Sequence, residues 1–210
     1  PLPDIDFNIR AGNTLIGYTS IADVRRATEA SGFDFDDRAG KIEAAAQDLD
    51  ATFRLFREQQ TALHGVVGAD HKAELRNRLA ALESQLDRFL ATDYGIDSGD
   101  DPATSARLAA WKASHKPFHW LIEFYGIMSD GGFQAIVGNP PFLEYSQVRG
   151  EYTVRNFGTL PCGNLYGFFA ERSEVFRHPQ GFISLIIPLS MMATPNMQSV
   201  MEMMDAAYKS

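Results

Sequence analysis

The sequence has one cysteine, Cys162, and lacks any apolar run long enough to cross a membrane. A single cysteine excludes an internal disulfide and leaves the thiol without a second cysteine for a zinc site. No metal is therefore expected. A secretory signal is also missing, and together these absences predict a cytoplasmic protein without membrane attachment.

Positive charge is scarce as well. The chain has 19 Lys and Arg against 27 Asp and Glu, which gives a formal net charge of −8. Because phosphate binding requires clustered Lys and Arg, this chain is not expected to form the main binding surface for a nucleic acid. With 210 residues, 45% of them hydrophobic, it is long and apolar enough to bury a globular core.

The most informative stretch that is present is Asn139-Pro140-Pro141-Phe142. It follows an apolar run that predicts a buried strand over about 135–138. The two prolines donate no backbone hydrogen bond, and Pro140 restricts Asn139 to extended conformations. A rigid polar tip after a strand is where open α/β sheets bind ligands. From these residues alone, a structural turn with Phe142 in the core is an equally good interpretation.

These four residues resemble the Asn-Pro-Pro-aromatic motif of the amino-methylating DNA methyltransferases. The resemblance implies methyl transfer from S-adenosylmethionine to an exocyclic base nitrogen, usually N6 of adenine, with cytosine N4 as the alternative. It implies that the Asn139 side chain and the Pro140 carbonyl accept the amine hydrogens, and that Pro141 helps to keep these acceptors fixed. Phe142 would stack on a base swung out of double-stranded DNA.

Two earlier segments also resemble this group. Residues 4–17 alternate polar and apolar side chains, predict a strand over 6–10, and resemble the Gly-Asn-Ser-Leu-Ile-Gly segment of type IIG restriction–modification and phage-defence methyltransferases. That resemblance implies that Gly12 and Asn13 bind the cofactor, although Asn13 fits a simple turn equally well. Residues 118–124 resemble the segment before the motif, and their alternation predicts an extended edge. Within them, His119 is interpreted as a structural histidine.

The segments after the motif match the same group in order. Asn164 is a plausible N-cap for a helix that continues to Phe176. A strand is predicted over 182–187, buried on both faces by its composition. A Met-rich helix is predicted over 196–207, in which the methionines fill the core.

A long helical stretch separates the first segment from residue 118. Apolar residues at helical spacing predict two helices that are joined by a segment with two glycines and form an antiparallel hairpin. These apolar residues are Ile42, Leu49, Phe53, Phe56 and Leu63 in the first helix and Leu75, Leu79, Leu82, Leu86 and Phe89 in the second. A third helix is predicted over 103–113. The hairpin is interpreted as a solvated arm or spacer, with a dimer contact as the alternative.

The predicted fold is α/β: part of a doubly wound, Rossmann-like methyltransferase sheet with a helical hairpin insertion. Residues 1–20 form the core strand and cofactor-side turn, 21–115 the helical insertion, and 116–210 the core with the catalytic loop. The group's glycine-rich cofactor turn, a target-recognition domain and a nuclease motif are not found, so the chain is expected to be an inactive central piece of a larger polypeptide. Gln134 departs from the group, where Asp is common. The competing hypothesis is a non-catalytic scaffold or assembly module.

Overall fold

A computed structural model describes residues 9–30, 36–62, 69–97, 99, 101–189 and 194–209. The chain divides into two compact units. The first unit comprises residues 1–13 and 17–126, and the second comprises residues 14–16 and 127–210. None of the described helices combines the length and the apolar character needed to cross a membrane.

The first unit is helical in its described residues. Its helices are α1 (Ile21–Ala30), α2 (Asp36–Ala62), α3 (Ala69–Thr92), α4 (Pro102–His115) and α5 (Trp120–Glu123). Helix α4 begins where the Asp101 carboxylate accepts hydrogen bonds from the backbone N–H groups of Ala103 and Thr104, each at 3.0 Å. It ends at Lys116, whose backbone is left-handed with φ of 47°.

The apolar spacing in α2 and α3 corresponds to the core of this unit. Buried residues on the two helices include Ile42, Leu49, Leu75, Leu79, Leu82 and Leu86. Helices α2 and α3 contact each other, and an ion pair between Asp48 and Arg78 links them. Arg78 therefore pairs across the two helices. Phe53, Phe56 and Leu63 lie outside the described side chains.

Two sequence predictions for the first unit need correction. Residues 118–124 are not an extended edge, because Trp120–Glu123 form α5. Phe118, Trp120 and Phe124 instead form an aromatic cluster, in which ring centroids of neighbours lie 4.9 Å (Phe118–Trp120) and 5.3 Å (Trp120–Phe124) apart. Of the strand predicted over 6–10, only residues 9 and 10 are described, and they are not in a strand.

The second unit contains a βαβ arrangement. Its elements are β1 (Phe133–Gly138), α7 (Tyr145–Val148), α8 (Leu165–Phe176), β2 (Arg177–Leu185) and α9 (Gln198–Lys209), with short 3-10 helices at Leu160–Cys162 and Pro195–Met197. A further short helix, α6 (Tyr125–Ser129), lies at the boundary between the units. Strands β1 and β2 pair in parallel, with Ile136 opposite Ile183 and Gly138 opposite Leu185. Parallel strands require such a crossover connection, and α8 with its preceding loop provides it.

The prediction that the second strand is buried on both faces is wrong for this chain. Residues that share one face of the sheet are largely exposed: Val137 by 84%, Phe182 by 74% and Ile186 by 66%. The opposite face is half-buried at Ile136 and Ile183, and α8 contacts β2. The fold is therefore mixed α and β, compatible with a methyltransferase-like α/β fold, with one apolar sheet face open.

Candidate functional site

The motif loop begins where β1 ends. Gly138 is the last residue of the strand, and the side chain of Asn139 follows it in an exposed position. Pro140 is buried and Pro141 is exposed. Phe142 is 53% exposed, so it does not fill the core as the simple turn interpretation required. The loop thus presents a polar amide and an aromatic ring at the carboxyl end of a parallel strand.

Two backbone hydrogen bonds fix the chain just after the motif. The Leu165 N–H donates to the Leu143 carbonyl at 3.0 Å, and the Tyr145 N–H donates to the Gly163 carbonyl at 2.8 Å. Between them, Glu144 and Asn164 form an isolated antiparallel bridge. Gly163 has φ of 66°, a conformation in which glycine carries no Cβ penalty. The start of α8 therefore holds the end of the motif loop.

The loop between Tyr145 and Gly163 is also held by hydrogen bonds. The Val154 N–H donates to the Tyr145 hydroxyl at 3.0 Å. The Glu171 carboxylate on α8 accepts from the backbone N–H groups of Gly158 at 2.9 Å and Thr159 at 2.8 Å, and from the Thr159 hydroxyl at 2.6 Å. Charge-assisted bonds of this kind are among the stronger hydrogen bonds in proteins. The loop that follows the motif is consequently tied to the same helix.

Asn164 does not cap α8 as predicted. It occupies the residue before the helix, but its side chain makes no capping bond. Its Nδ2 instead donates to the Cys162 carbonyl at 3.2 Å, which supports the tight turn at Gly163. Cys162 is buried, and burial raises the pKa of its thiol, so the neutral form is favoured at this position.

Tyr166 is a site residue that the helical pattern did not single out. It lies in the first turn of α8, is 4% exposed, and meets Phe142 edge to face, with ring centroids 6.5 Å apart and an interplanar angle of 86°. The sequence signal was available, since a large aromatic residue directly follows the Asn164-Leu165 helix start. The sequence alone does not indicate that this ring reaches the motif, because the contact depends on the long-range backbone hydrogen bonds described above.

Gly12 and Asn13 lie in the first unit. The Asn13 N–H donates to the Lys116 carbonyl at 2.7 Å, and Asn13 bridges Pro117. Gly12 packs so closely on Phe118 that a Cβ would lie 2.7 Å from a ring carbon. A half-buried amide beside an aromatic cluster suits an adenine ring, which needs polar partners at its edge and apolar contact on its face.

His119 has a structural role in this unit. It is 2% exposed, and its Nδ1 accepts a hydrogen bond from the Tyr18 N–H at 3.2 Å. Nε2 therefore carries the proton and donates to Asp87 at 3.0 Å. Lys112 forms an ion pair with the other carboxylate oxygen of Asp87. Both ring nitrogens are engaged within the core, as the structural interpretation of His119 predicted. Within the described part of the chain, no three His, Cys, Asp or Glu side chains are grouped to hold a metal.

The βαβ unit, with an amide, two prolines and an aromatic ring at the carboxyl end of its first strand, is compatible with an α/β protein of the methyltransferase-like class. Residues 41–208 match the family described as Eco57I restriction-modification methylase. This match covers most of the chain, and the chain belongs to that family.

A relative from Methanocaldococcus jannaschii bears the name "Putative type II restriction enzyme and methyltransferase". It is 23% identical over an alignment of 224 positions, which covers 90% of this chain and 19% of the relative. The chain thus spans about a fifth of the length of the curated relative that it matches. No solved structure matches the chain.

Proposed function

We propose that this chain is the catalytic-loop part of a site-specific DNA methyltransferase that transfers a methyl group from S-adenosylmethionine to N6 of adenine within a longer restriction–modification or phage-defence protein. The observation that carries this proposal is the presentation of the motif. Asn139 is exposed at the end of β1, Pro140 is buried, and Phe142 is 53% exposed. Family membership in the restriction-modification methylases supports the same class of reaction.

The residue types of the motif suit an exocyclic amine. Such an amine is a poor nucleophile because its lone pair is delocalised into the ring. The Asn139 side-chain oxygen and the Pro140 carbonyl would accept its two hydrogens and direct the lone pair toward the methyl donor. Since the prolines restrict the backbone, these acceptors need little reorganisation when the amine arrives.

The methyl donor, when bound, supplies an electrophilic carbon on a sulfonium sulfur. Gly12 and Asn13 would hold its adenosine part. The amine nitrogen would take this methyl group, the electron pair of the sulfur–carbon bond would stay on the sulfur, and one amine proton would pass to solvent. Asn139 and Pro140 would stabilise the positive charge that develops on the amine.

Phe142 provides the surface on which the target base would stack. An enzyme acting on a base amine within duplex DNA needs the base outside the helix, and an exposed aromatic ring offsets part of the lost stacking. The net charge of −8 leaves most phosphate contacts to other parts of the longer protein. The proposed partners are accordingly double-stranded DNA with a flipped base and the remainder of the polypeptide.

Replacement of Asn139 in the full-length protein tests the proposal. Asn139→Ala removes one acceptor, and removal of such a preorganised group typically costs about 100-fold or more in turnover. Asn196→Ala, at an exposed asparagine outside the motif, is the matched control and should leave transfer unchanged. Methylation-sensitive sequencing of DNA from cells that express each variant gives the readout.

Undiminished methylation by the Asn139→Ala variant would reject the assigned role. Methylation at cytosine N4 instead of adenine N6 would show that cytosine is the target base. The roles of Asn139 and Pro140 would stand, because both amines present two hydrogens to the same acceptor pair.

A further inference from the structure

We propose that Tyr166 is a positioning residue for Phe142, and that it sets the orientation in which the target base stacks. This inference rests on the proposed function. Tyr166 would touch neither the base nor the cofactor, and it would act through the ring of Phe142.

The first support is the backbone connection between the two residues. Leu143, directly after Phe142, accepts a hydrogen bond from Leu165, directly before Tyr166, at 3.0 Å. The reciprocal Tyr145 to Gly163 bond of 2.8 Å prevents the two segments from sliding past each other. The side chains of Phe142 and Tyr166 therefore start from a fixed backbone register.

The second support is the contrast in burial. Tyr166 is 4% exposed, whereas Phe142 is 53% exposed. A ring with more than half of its surface in solvent has few neighbours that select its rotamer. The edge-to-face contact of 6.5 Å with Tyr166 supplies one, in the geometry that aromatic quadrupoles favour.

The third support is the rigidity of the helix that carries Tyr166. The next turn of α8 carries Glu171, which binds the loop at Gly158 and Thr159. Arg172 on the same helix donates to the Leu15 carbonyl at 2.8 Å. Tyr166 thus projects from a helix held on more than one side.

The test uses the full-length protein with duplex DNA and S-adenosylmethionine. Tyr166→Leu removes the aromatic edge, and the resulting misplacement of Phe142 should lower kcat by about 10- to 100-fold. Affinity for S-adenosylmethionine should stay within about twofold, because the proposed effect concerns the base. Tyr166→Phe retains the edge and should restore kcat to within about twofold of the parent.

Phe157→Leu is the matched control. Phe157 is a buried aromatic residue of the same unit whose ring contacts are with Phe168 and Arg172. It should lower thermal stability and leave kcat near that of the parent. Tyr166→Met, whose longer unbranched side chain can fill an irregular gap, replaces Tyr166→Leu if the latter does not show a cooperative melting transition.

The inference is overturned if the Leu or Met variant retains parental kcat, if Tyr166→Phe is as impaired as that variant, or if Phe157→Leu loses as much kcat. These outcomes differ from those that would reject the proposed function itself. If the proposed function is wrong, the parent protein transfers no methyl group, or the Asn139→Ala variant remains fully active.

Discussion

The two units of this chain differ in which side chains they bury and which they leave exposed. The first unit buries polar groups together with their partners, such as His119 with Asp87 and Glu123 with Arg10. The second unit leaves one apolar face of its small sheet open, with Val137 84% exposed. Parallel sheets are ordinarily covered on both faces. The helical unit thus buries its apolar stripe within itself, whereas the sheet that carries the motif presents an apolar face that the described residues leave exposed.

The largest expected effect comes from the tightest point of the first unit, Gly17. Its φ is 141°, and an added Cβ would lie far inside contact distance of the Phe118 carbonyl oxygen. Gly17→Ala should therefore lower the free energy of unfolding by about 3 kcal/mol or more, from backbone strain and a clash with backbone that cannot move aside. Urea denaturation of the chain gives the measurement.

Gly40→Ala is the matched control for Gly17. Gly40 lies in α2, where an added Cβ meets nothing within 4 Å. Alanine is the better helix former, so this substitution should raise the free energy of unfolding by about 0.5–1 kcal/mol. If both alanine variants unfold at the urea concentration of the parent, the close packing of the first unit around Phe118 is disproved.

Sequence periodicity predicted the helical unit well because its helices bury a regular stripe. Leu75, Leu79, Leu82 and Leu86 recur at steps of three and four, and all four are buried. Residues 118–124 were misjudged because Trp120 and Phe124 alternate with other residues over too short a span to separate a strand from one helical turn. The helical conformation of this segment is set by tertiary contacts, including a hydrogen bond from the Leu121 N–H to the Tyr18 carbonyl.

The first unit also contains a buried carboxyl group that predicts a pH dependence of stability. The side chain of Glu123 is 5% exposed, and its Oε2 lies 2.7 Å from Arg10 Nε. Burial, together with a hydrogen bond to Glu83, raises the pKa of Glu123 to about 8. Between its unfolded value of 4.5 and about 8, the unfolded chain loses this proton while the folded chain keeps it. Stability should therefore fall as pH rises through that window, by a few kcal/mol at most.

Glu123→Gln sharpens this prediction, because glutamine cannot lose a proton. The parent should be more stable at pH 5 than at pH 8, and the variant should show a much smaller difference. Chemical denaturation at both pH values gives the comparison. A variant with the same pH dependence as the parent would mean that groups other than Glu123 produce it.

For the motif loop, the sequence indicated which residues follow the strand, but not which contacts hold the loop in place. The prolines predicted a rigid tip after β1, and Asn139 and Phe142 are indeed exposed beyond the strand. The sequence did not reveal that Gly163 and Leu165 bind the chain on either side of Glu144, because these are long-range backbone contacts. It also could not show which sheet faces this chain covers, since an apolar run such as 182–187 indicates burial without indicating what supplies it.

The smallest expected effect is at that open face. Phe182 is 74% exposed, so Phe182→Ser should change the free energy of unfolding by less than about 1 kcal/mol. Phe168→Ala, at a fully buried phenylalanine of the same unit, should cost about 3–5 kcal/mol. Phe182→Ser should also weaken binding of an apolar fluorescent dye, because it removes much of the exposed patch. A loss for Phe182→Ser as large as that for Phe168→Ala would mean that the face is covered in solution. The second unit would then bury both faces of its sheet, and the contrast between the two units would disappear.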